Sequence, residues 1–408
     1  MKLLFVSDTF PRDIQSSTHG VFKRMRVFLD AINGVAYSVD MLFFVDPKIA
    51  ISDSYVADME AAITQYWGIS VKLFMSHRTT AGTGKLLLSR YLQKFYNLFR
   101  TSINIDLCGE RQLRAFEACL ERKPDVLFIH KLESMGPVLR TKRTLPPVFF
   151  DLDDIEHKAF IRSIRQPPYW KSKFLYYLEV PSLLMLERRA IKLAKKTFVC
   201  SERDRAYLTD IWRLPNVVVV PNAVNMPVMR AATAAPTLLF IGGYFYPPNA
   251  VAAEFLITEI WPLVKREITD ANLIIAGASP ELIKSFNRHV GGVQYTGFVE
   301  DLDELYRETR VVCCPILAGG GTRVKILEAA AYGKPIVSTH IGAEGIEFED
   351  GREILLRDDA KSFAHACIEL LREPALCDAL GKAARKKVEL LYHRDNVIKL
   401  IQSYISNS

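Results

Sequence analysis

Residues 315–345 read PILAGGGTRVKILEAAAYGKPIVSTHIGAEG, which predicts a strand, a glycine loop, an amphipathic helix, a second strand and a second glycine loop. Glycine has no side chain, so Gly319, Gly320 and Gly321 let a ligand approach the backbone closely. The loop stands just before a helix N-terminus, where free N–H groups and the helix dipole favour a phosphate. The stretch therefore predicts an anion site on a βα unit.

The side chains after the glycine run strengthen this prediction. Arg323 and Lys325 are expected in the first helical turn, where cations are unfavourable unless an anion joins them, so they indicate a bound diphosphate. Glu328, about one and a half turns into the helix, can accept hydrogen bonds from two ribose hydroxyls. The alternative is an ordinary βα turn with solvent-facing charges.

Short apolar runs alternate with helical segments over the whole chain, on both sides of residues 315–345. The predicted strands lie at 2–7, 37–45, 125–130, 148–152, 197–201, 217–222, 236–245, 272–277, 293–298, 310–316 and 335–339. This alternation predicts an α/β protein with two Rossmann-like, doubly wound parallel-sheet domains. We expect an N-terminal domain over 1–222, a C-terminal domain over 223–384, and one terminal helix over 385–408.

Length and composition agree with two domains. The chain has 408 residues, of which 49% are hydrophobic, too many for one ordinary core. The opening MKLLFVSDTF lacks the features of a signal peptide, and no stretch approaches about 18 uncharged apolar residues, so neither secretion nor a membrane span is expected. The seven cysteines include no C-x-x-C pair. They indicate buried thiols of a reducing, cytoplasmic compartment.

The sequence resembles a known family, the retaining family 4 glycosyltransferases, which have the GT-B fold. The likeness is carried by 315–345 and by the segments THGVFKR, IHK, VCSERD and VVPNAVN. In that family two Rossmann-like domains face each other across a cleft, the C-terminal domain binds the donor, and the last helix crosses back. The resemblance implies sugar transfer from a nucleoside-diphosphate sugar to a saccharide or lipid-linked hydroxyl in polysaccharide biosynthesis. We expect no cofactor, no metal and no nucleic-acid partner.

The family pattern also assigns roles to individual positions. Glu328 matches the glutamate that binds the ribose, Gly20 the loop glycine whose N–H meets the donor diphosphate, and His130 the histidine near the transferred sugar. We expect the catalytic residues to be His130, Arg323 and Lys325. We expect the donor-binding residues to be Gly20, Gly243, Gly319, Gly320, Gly321, Thr322 and Glu328.

Two departures from the family pattern concern the donor site. The first glutamate of the E-x7-E motif is replaced by Gly320, which puts recognition of the sugar and any carboxylate nucleophile in doubt. The usual Arg and Lys after the first C-domain strand are absent from GGYFYPPNA (242–250), so Arg323 and Lys325 are the nearest cations of the motif for a diphosphate leaving group. A subgroup of bacterial polysaccharide transferases has a similar P-P-N and GGGTR-x-K pattern, which favours a working enzyme.

Other features leave alternatives open. Asp151, Asp153 and Asp154 in DLDD are expected to be either acceptor-side or structural, and not metal ligands. The competing functions are a non-hydrolysing sugar-nucleotide epimerase, which also has a GT-B fold, and a catalytically silent GT-B binding subunit. The nucleotide base, the donor sugar, the acceptor and the oligomeric state have no signal in the sequence.

The charge distribution predicts a membrane partner. The first 200 residues hold 30 Lys and Arg against 20 Asp and Glu, and residues 158–196 alone hold ten cations interleaved with aromatic side chains. Residues 85–100 repeat this character. Such segments can lie among the headgroups of an anionic membrane, so we expect a peripheral position at the inner face of the plasma membrane. An ordinary packed helix with a solvated basic face, or a groove for an anionic saccharide, is the alternative.

Overall fold

The structure is a computed structural model and describes residues 1–11, 14, 20–78, 108–165, 169–170, 173–228 and 235–406. The chain divides into two compact units, Met1–Val220 with Ile398–Ser408, and Pro221–Val397.

Unit 1 is built on a parallel sheet of seven strands in the order β3-β2-β1-β4-β5-β6-β7. The strands are β1 (Lys2–Ser7), β2 (Ser38–Val45), β3 (Val71–His77), β4 (Val126–His130), β5 (Val148–Asp153), β6 (Lys196–Val199) and β7 (Val217–Val219). The helices are α1 (Gly20–Asn33), α2 (Asp53–Trp67), α3 (Glu110–Glu121), α4 (Gly136–Arg140), α5 (Glu156–Ile164), α6 (Val180–Leu193) and α7 (Glu202–Ala206). The central strands are buried. Their apolar runs are continuous, as expected for strands covered on both faces.

Unit 2 repeats the plan with six parallel strands in the order β10-β9-β8-β11-β12-β13. The strands are β8 (Thr237–Ile241), β9 (Asn272–Ala276), β10 (Val293–Gly297), β11 (Val311–Cys314), β12 (Ile336–Ser338) and β13 (Leu355–Leu356). The helices are α8 (Pro247–Phe255), α9 (Trp261–Glu267), α10 (Leu302–Glu308), α11 (Val324–Ala331), α12 (Ala360–Arg372) and α13 (Pro374–Leu391). A last helix, α14 (Arg394–Ser406), begins in unit 2 and ends in unit 1.

In both sheets the order in which strands are added reverses beside the first strand. The next two strands lie on one side of it, and the later strands lie on the other side. In unit 1 this reversal lies between β1 and β4, and in unit 2 between β8 and β11. In open parallel sheets, ligands bind outside the carboxyl ends of the strands at such a reversal. The predicted α/β class with two doubly wound sheets is confirmed, and a ligand is expected at the carboxyl edge of each sheet.

The prediction of one terminal helix over 385–408 is wrong, because α13 ends at Leu391 and α14 begins at Arg394. Between them the backbone turns aside to pair with Val224, whose N–H donates to Tyr392 O at 3.0 Å and whose carbonyl accepts from Arg394 N at 3.1 Å. These contacts replace helical hydrogen bonds and break the helix.

The prediction that the cysteines are buried thiols is confirmed, because all seven are buried and free. The reducing compartment stays a prediction. Among the described residues, no helix has the length and apolar character that crossing a membrane requires. Residues 85–100, one of the two segments expected at a membrane, lie outside the described residues.

Candidate functional site

The carboxyl edge of the unit 2 sheet is lined by glycine backbone at β8 and β9. Gly277, with φ +132°, follows β9, and a Cβ on it would lie 1.9 Å from Gly242 O. Gly242 N donates to Ala276 O at 2.9 Å, so the turn after β8 is fastened to the end of β9. Only glycine fits at Gly277, and the resulting surface presents main-chain groups to a ligand.

Lys325 supplies a cation to this same turn. It is the second residue of α11, and its Nζ lies 2.9 Å from where a Cβ of Gly242 would stand. The Nζ also lies 4.4 Å from the ring centroid of Phe240, on β8. The turn after β8 carries no cation of its own, yet an ammonium group lies against it, delivered from another βα unit.

Arg323 lies one position earlier than predicted, because it precedes α11 as the N-cap residue with non-helical backbone angles, φ −87° and ψ 97°. Its guanidinium folds back on the glycine run and donates to the carbonyls of Gly320 and Gly321. A Cβ at Gly319, where φ is +104°, would lie 2.8 Å from the hydroxyl oxygen of Tyr246 and 3.2 Å from Nη2 of Arg323. The glycine run is thus shaped by the side chains packed over it.

Glu328 lies on the same side of α11 as Lys325, one turn further along. The helix buries Ile326, Leu327, Ala329 and Ala330, which leaves positions 325 and 328, three apart, on the opposite, half-buried face. The helix forms because its alanine-rich sequence has high helix propensity, and it stops at Gly333, whose φ is +68°. Lys325 and Glu328 are thereby presented together at the edge of the sheet.

Two further contacts fix the loops around this edge. Thr322 accepts a hydrogen bond on Oγ1 from Nδ2 of Asn222 at 2.6 Å. In the second glycine loop, Gly342 N donates to Oγ1 of Thr339 at 2.8 Å, and a Cβ at Gly342 would lie 2.4 Å from Ser338 Oγ. Gly342 is therefore required by packing against the end of β12.

In unit 1, His130 is in register with Ser7 on β1 and with Asp151 on β5. Its side chain is 0% exposed, and its Nδ1 and Ser7 Oγ are hydrogen-bonded at 2.9 Å. Nε2 has no hydrogen-bond partner in the part of the chain that the structure describes, and it lies 3.9 Å from Asp151 Oδ2. Burial, with Lys131 close by, lowers the pKa of His130 to about 3, so the imidazole is neutral near pH 7.

The DLDD segment is anchored by an arginine that the sequence did not single out. Arg24, on α1, donates from Nε and Nη2 to Asp151, and its Nε lies 3.3 Å from Oδ1 of Asp153. Burial would raise the pKa of Asp153, but Arg24 and Lys131 outweigh it and hold that pKa below its ordinary value. The only signal for Arg24 was its place one turn after Gly20.

More carboxyl groups surround Lys131 at this edge, and the sequence analysis missed them. Burial, followed by the charges of Glu133 and Asp154, raises the pKa of Glu156 to about 8. Burial and Glu133 likewise raise the pKa of Asp8 to about 6. Three strands and the turns after them contribute to this cluster, so sequence spacing gives no sign of it.

Gly20 is the first residue of α1 and is exposed. The first N–H groups of a helix lack acceptors within the helix, so the position suits an anion. The neighbouring Thr18 and His19 of the THGVFKR segment lie outside the described residues.

Comparison with known proteins agrees with this architecture. Residues 235–373 match the family model described as Glycosyl transferases group 1. Over the full chain, the structure is similar to TarM of S. aureus (TM-score 0.69, 11% identity, 98% of this chain and 97% of that chain). It is also similar to sucrose-phosphate synthase of Thermosynechococcus elongatus (TM-score 0.68, 16% identity, 100% of both chains). The protein has the GT-B fold, and the stretch that matches the family model lies within unit 2.

Curated relatives match over shorter stretches. An uncharacterized 44.6 kDa protein in the cps region of Klebsiella pneumoniae is 30% identical over 135 residues, 31% of this chain and 35% of that protein. The phosphatidyl-myo-inositol mannosyltransferase of Mycobacterium leprae is 26% identical over 188 residues, 42% of this chain and 49% of that protein. The chain spans half or less of the length of these relatives, so the similarity applies to those stretches. The narrower assignment to the retaining family 4 stays a prediction.

Proposed function

We propose that this protein is a retaining glycosyltransferase that moves a sugar from a nucleoside-diphosphate sugar to a hydroxyl of a saccharide or lipid-linked acceptor in polysaccharide biosynthesis. The observation that carries the proposal is the Lys325 ammonium against the glycine turn after β8, within the domain matched by the family model. An ammonium held on glycine backbone suits a diphosphate, because the oxygens of the ligand reach both the charge and the N–H groups.

Within this proposal each residue of the site has a role toward the donor. Lys325 and Arg323 offset the charge that develops on the departing diphosphate, and Gly243 and the 319–321 run with Thr322 contact it through the backbone and short side chains. Glu328 accepts hydrogen bonds from the ribose hydroxyls. Gly20 and His130 keep the roles that the family pattern gives them, the second as a neutral group.

The chemical step we propose is attack from the face that the leaving group vacates. The acceptor oxygen forms a bond to the anomeric carbon while the bond from that carbon to the diphosphate oxygen breaks. The bonding electron pair leaves with the nucleoside diphosphate, which takes the acceptor proton. The step needs no carboxylate nucleophile, which is consistent with Gly320 standing where the family has a glutamate. It also needs no cofactor.

Similar proteins guide the choice of substrates to test. HepE of Anabaena is described in complex with UDP and with UDP-glucose, and TarM in complex with UDP. The mannosyltransferases act, by their names, on phosphatidyl-myo-inositol. We therefore propose UDP-sugars as the first donors to try and a lipid-linked acceptor as the first acceptor class.

We further propose that unit 1 contacts an anionic membrane surface. Tyr169, Trp170 and Phe174 are 70%, 48% and 63% exposed, an unusual exposure for large apolar rings. Arg188, Arg189, Lys192 and Lys195, on and just after α6, are exposed as well. Such a combination of inserted rings and cations suits a headgroup layer.

Two of the cations expected at this surface do not belong to it. Lys173 is buried beneath aromatic rings, its Nζ 5.4 Å from the centroid of Tyr169 and 5.1 Å from that of Trp170. Lys158 pairs with Asp204 at 3.3 Å. Lys171 lies outside the described residues.

The experiment that tests the proposed function incubates the protein with UDP-, GDP- or ADP-sugars and a lipid-linked acceptor fraction, and measures the nucleoside diphosphate released. Release that requires acceptor, with a product whose anomeric configuration by NMR equals that of the donor, supports the proposal. An altered sugar nucleotide without acceptor would identify an epimerase instead. Nucleotide binding without turnover under any pairing would favour the silent subunit.

A further inference from the structure

At the carboxyl edge of the unit 2 sheet, the turn after β8 and the helix α11 are joined by one side chain. This side chain is Asn249, the third residue of α8. Its Oδ1 accepts a hydrogen bond from Lys325 Nζ at 2.9 Å, and its Nδ2 donates to Gly243 O at 3.0 Å. Both ends of the amide are used, so its orientation is defined by its partners. Asn249 thus joins the cation of α11 to the backbone of the turn after β8, across 76 residues of sequence.

The surroundings of Lys325 make its hydrogen bond to Asn249 important for keeping the ammonium group charged. Burial, assisted by Arg323, lowers the pKa of Lys325 to about 8, while Glu328 acts in the opposite direction. Burial raises the pKa of the Cys314 thiol, so that group is neutral. The remaining neighbours, Phe240 on β8 and Asn249 on α8, do not titrate. A hydrogen bond to the charged form is therefore one of few features that keep the ammonium protonated.

We infer that Asn249 is a positioning residue that holds the Lys325 ammonium against the Gly242–Gly243 turn, where it binds the diphosphate of the donor. This inference rests on the proposed function. An ammonium group has three N–H donors, and Asn249 takes one without cancelling the charge, leaving the others for phosphate oxygens. A carboxylate in its place would still accept from Lys325, but it would lose the hydrogen bond to Gly243 O, neutralise the cation and repel the ligand. The choice of an amide is thus explained by electrostatics.

The inference also explains a departure from the family pattern. The turn 242–250 has no cation, and the P-P-N sequence at 247–249 stands there instead. The proline pair begins α8 and sets the helix so that Asn249 lies beside Gly243. The turn therefore obtains its positive charge from Lys325, and Asn249 is the side chain that fixes where the charge is held.

The test compares Asn249→Ala and Asn249→Asp with the wild type, and uses Asn287→Ala, at an exposed position of unit 2, as the matched control. The first measurement is the pH dependence of acetylation of Lys325, followed by mass spectrometry, which needs no enzymatic activity. Loss of a hydrogen bond to a charged group should move the midpoint of Asn249→Ala down by about one pH unit. The added carboxylate in Asn249→Asp should move it up.

The second measurement is calorimetric affinity for UDP, GDP and ADP. We expect the tightest of the three to bind Asn249→Ala about tenfold more weakly than the wild type. Asn249→Asp should bind more weakly still, although its lysine is more fully protonated. In Asn249→Asp the pKa of Lys325 should rise while the affinity for nucleotides falls. A merely structural role of Asn249 does not predict this combination. A circular dichroism melt of each variant shows that it is folded. Asn249→Asp keeps the hydrogen bond from Lys325 and loses only the one to Gly243 O, so it provides a second variant if the alanine variant fails to fold.

The outcomes separate the inference from the proposed function. Unchanged acetylation midpoints in both Asn249 variants would overturn the inference, even if the wild type binds nucleotides. Shifted midpoints with unchanged nucleotide affinity would overturn the role in diphosphate binding. Failure of UDP, GDP and ADP to bind the wild type would remove the proposed function, while the acetylation profiles would still decide whether Asn249 governs the ammonium.

Discussion

Arg24 binds Asp151 through two guanidinium nitrogens, and both side chains are buried at the carboxyl edge of the first sheet. The distances are 3.1 Å from Nε and 2.6 Å from Nη2 to Oδ1, and Nη1 donates to Val220 O at 2.9 Å. The pair fastens α1, which begins at Gly20, to β5 and to the chain that leaves β7. Gly20 and the DLDD segment are therefore placed by one interaction.

Breaking this pair should destabilise unit 1. Arg24→Met leaves the Asp151 carboxylate buried without its cation, which costs about 3–5 kcal/mol. Urea denaturation followed by circular dichroism measures the change. The control is Arg307→Met, because Arg307 forms an exposed ion pair with Glu304 one turn away, and such pairs contribute about 1 kcal/mol or less. Equal losses in the two variants would contradict the structural role of Arg24.

Gly277 should tolerate no side chain. An alanine there would require φ +132° and would place Cβ 1.9 Å from Gly242 O, so the turn that receives Lys325 must shift. We expect Gly277→Ala to lose about 1–3 kcal/mol of stability and to bind nucleoside diphosphates more weakly. Gly291→Ala is the control, since no atom lies within 4 Å of its added Cβ. Thermal melts and calorimetry measure the two effects, and a Gly277→Ala protein that matches Gly291→Ala in both would refute the close-approach argument.

Much of the fold could be predicted because buried parallel strands have continuous apolar sequences, as at Leu3–Val6 and Leu238–Phe240. The strand β3 gave no such run, since its burial is mixed along an edge of the sheet. The break between α13 and α14 has no local signal, because it depends on hydrogen bonds from Val224.

Part of the candidate site could likewise be predicted from the sequence, and part could not. The glycine run, Lys325 and Glu328 could be found because they are neighbours in sequence and belong to one βα unit. The contacts of Lys325 with Asn249 and of Arg24 with Asp151 join residues 76 and 127 positions apart. Contacts of that kind follow from strand order and register, which spacing along the chain does not encode.

Glu328 should govern nucleotide affinity. Glu328→Ala removes a charged acceptor from the ribose hydroxyls, a loss of about 1.5–3 kcal/mol for charge-assisted hydrogen bonds. Calorimetry with UDP, GDP and ADP measures the change, with Glu308→Ala at an exposed position as control. Wild-type affinity in the Glu328→Ala protein would remove this residue from the donor site.

Binding to anionic membranes should depend on the position of charge and not only on its amount. Each exposed cation near a lipid surface contributes about 1 kcal/mol, so changing Arg188, Arg189, Lys192 and Lys195 to glutamine should greatly reduce co-sedimentation with anionic liposomes. The matched control changes four exposed cations elsewhere in unit 1 to glutamine, namely Arg111, Arg114, Lys123 and Lys142. Both variants lose the same net charge, so only a defined surface predicts that the first detaches and the second stays bound.

Trp170→Ala should weaken the same binding by removing an exposed ring, and raising the salt concentration should weaken it further, because screening reduces the attraction between the cations and the headgroups. Neutral liposomes provide the baseline. If the wild-type protein stays in the supernatant with anionic liposomes at low salt, the membrane proposal fails and an acceptor free of the bilayer becomes the better hypothesis. If both glutamine variants detach equally, the attraction is a property of net charge, and the aromatic residues around Trp170 do not mark a membrane-binding face.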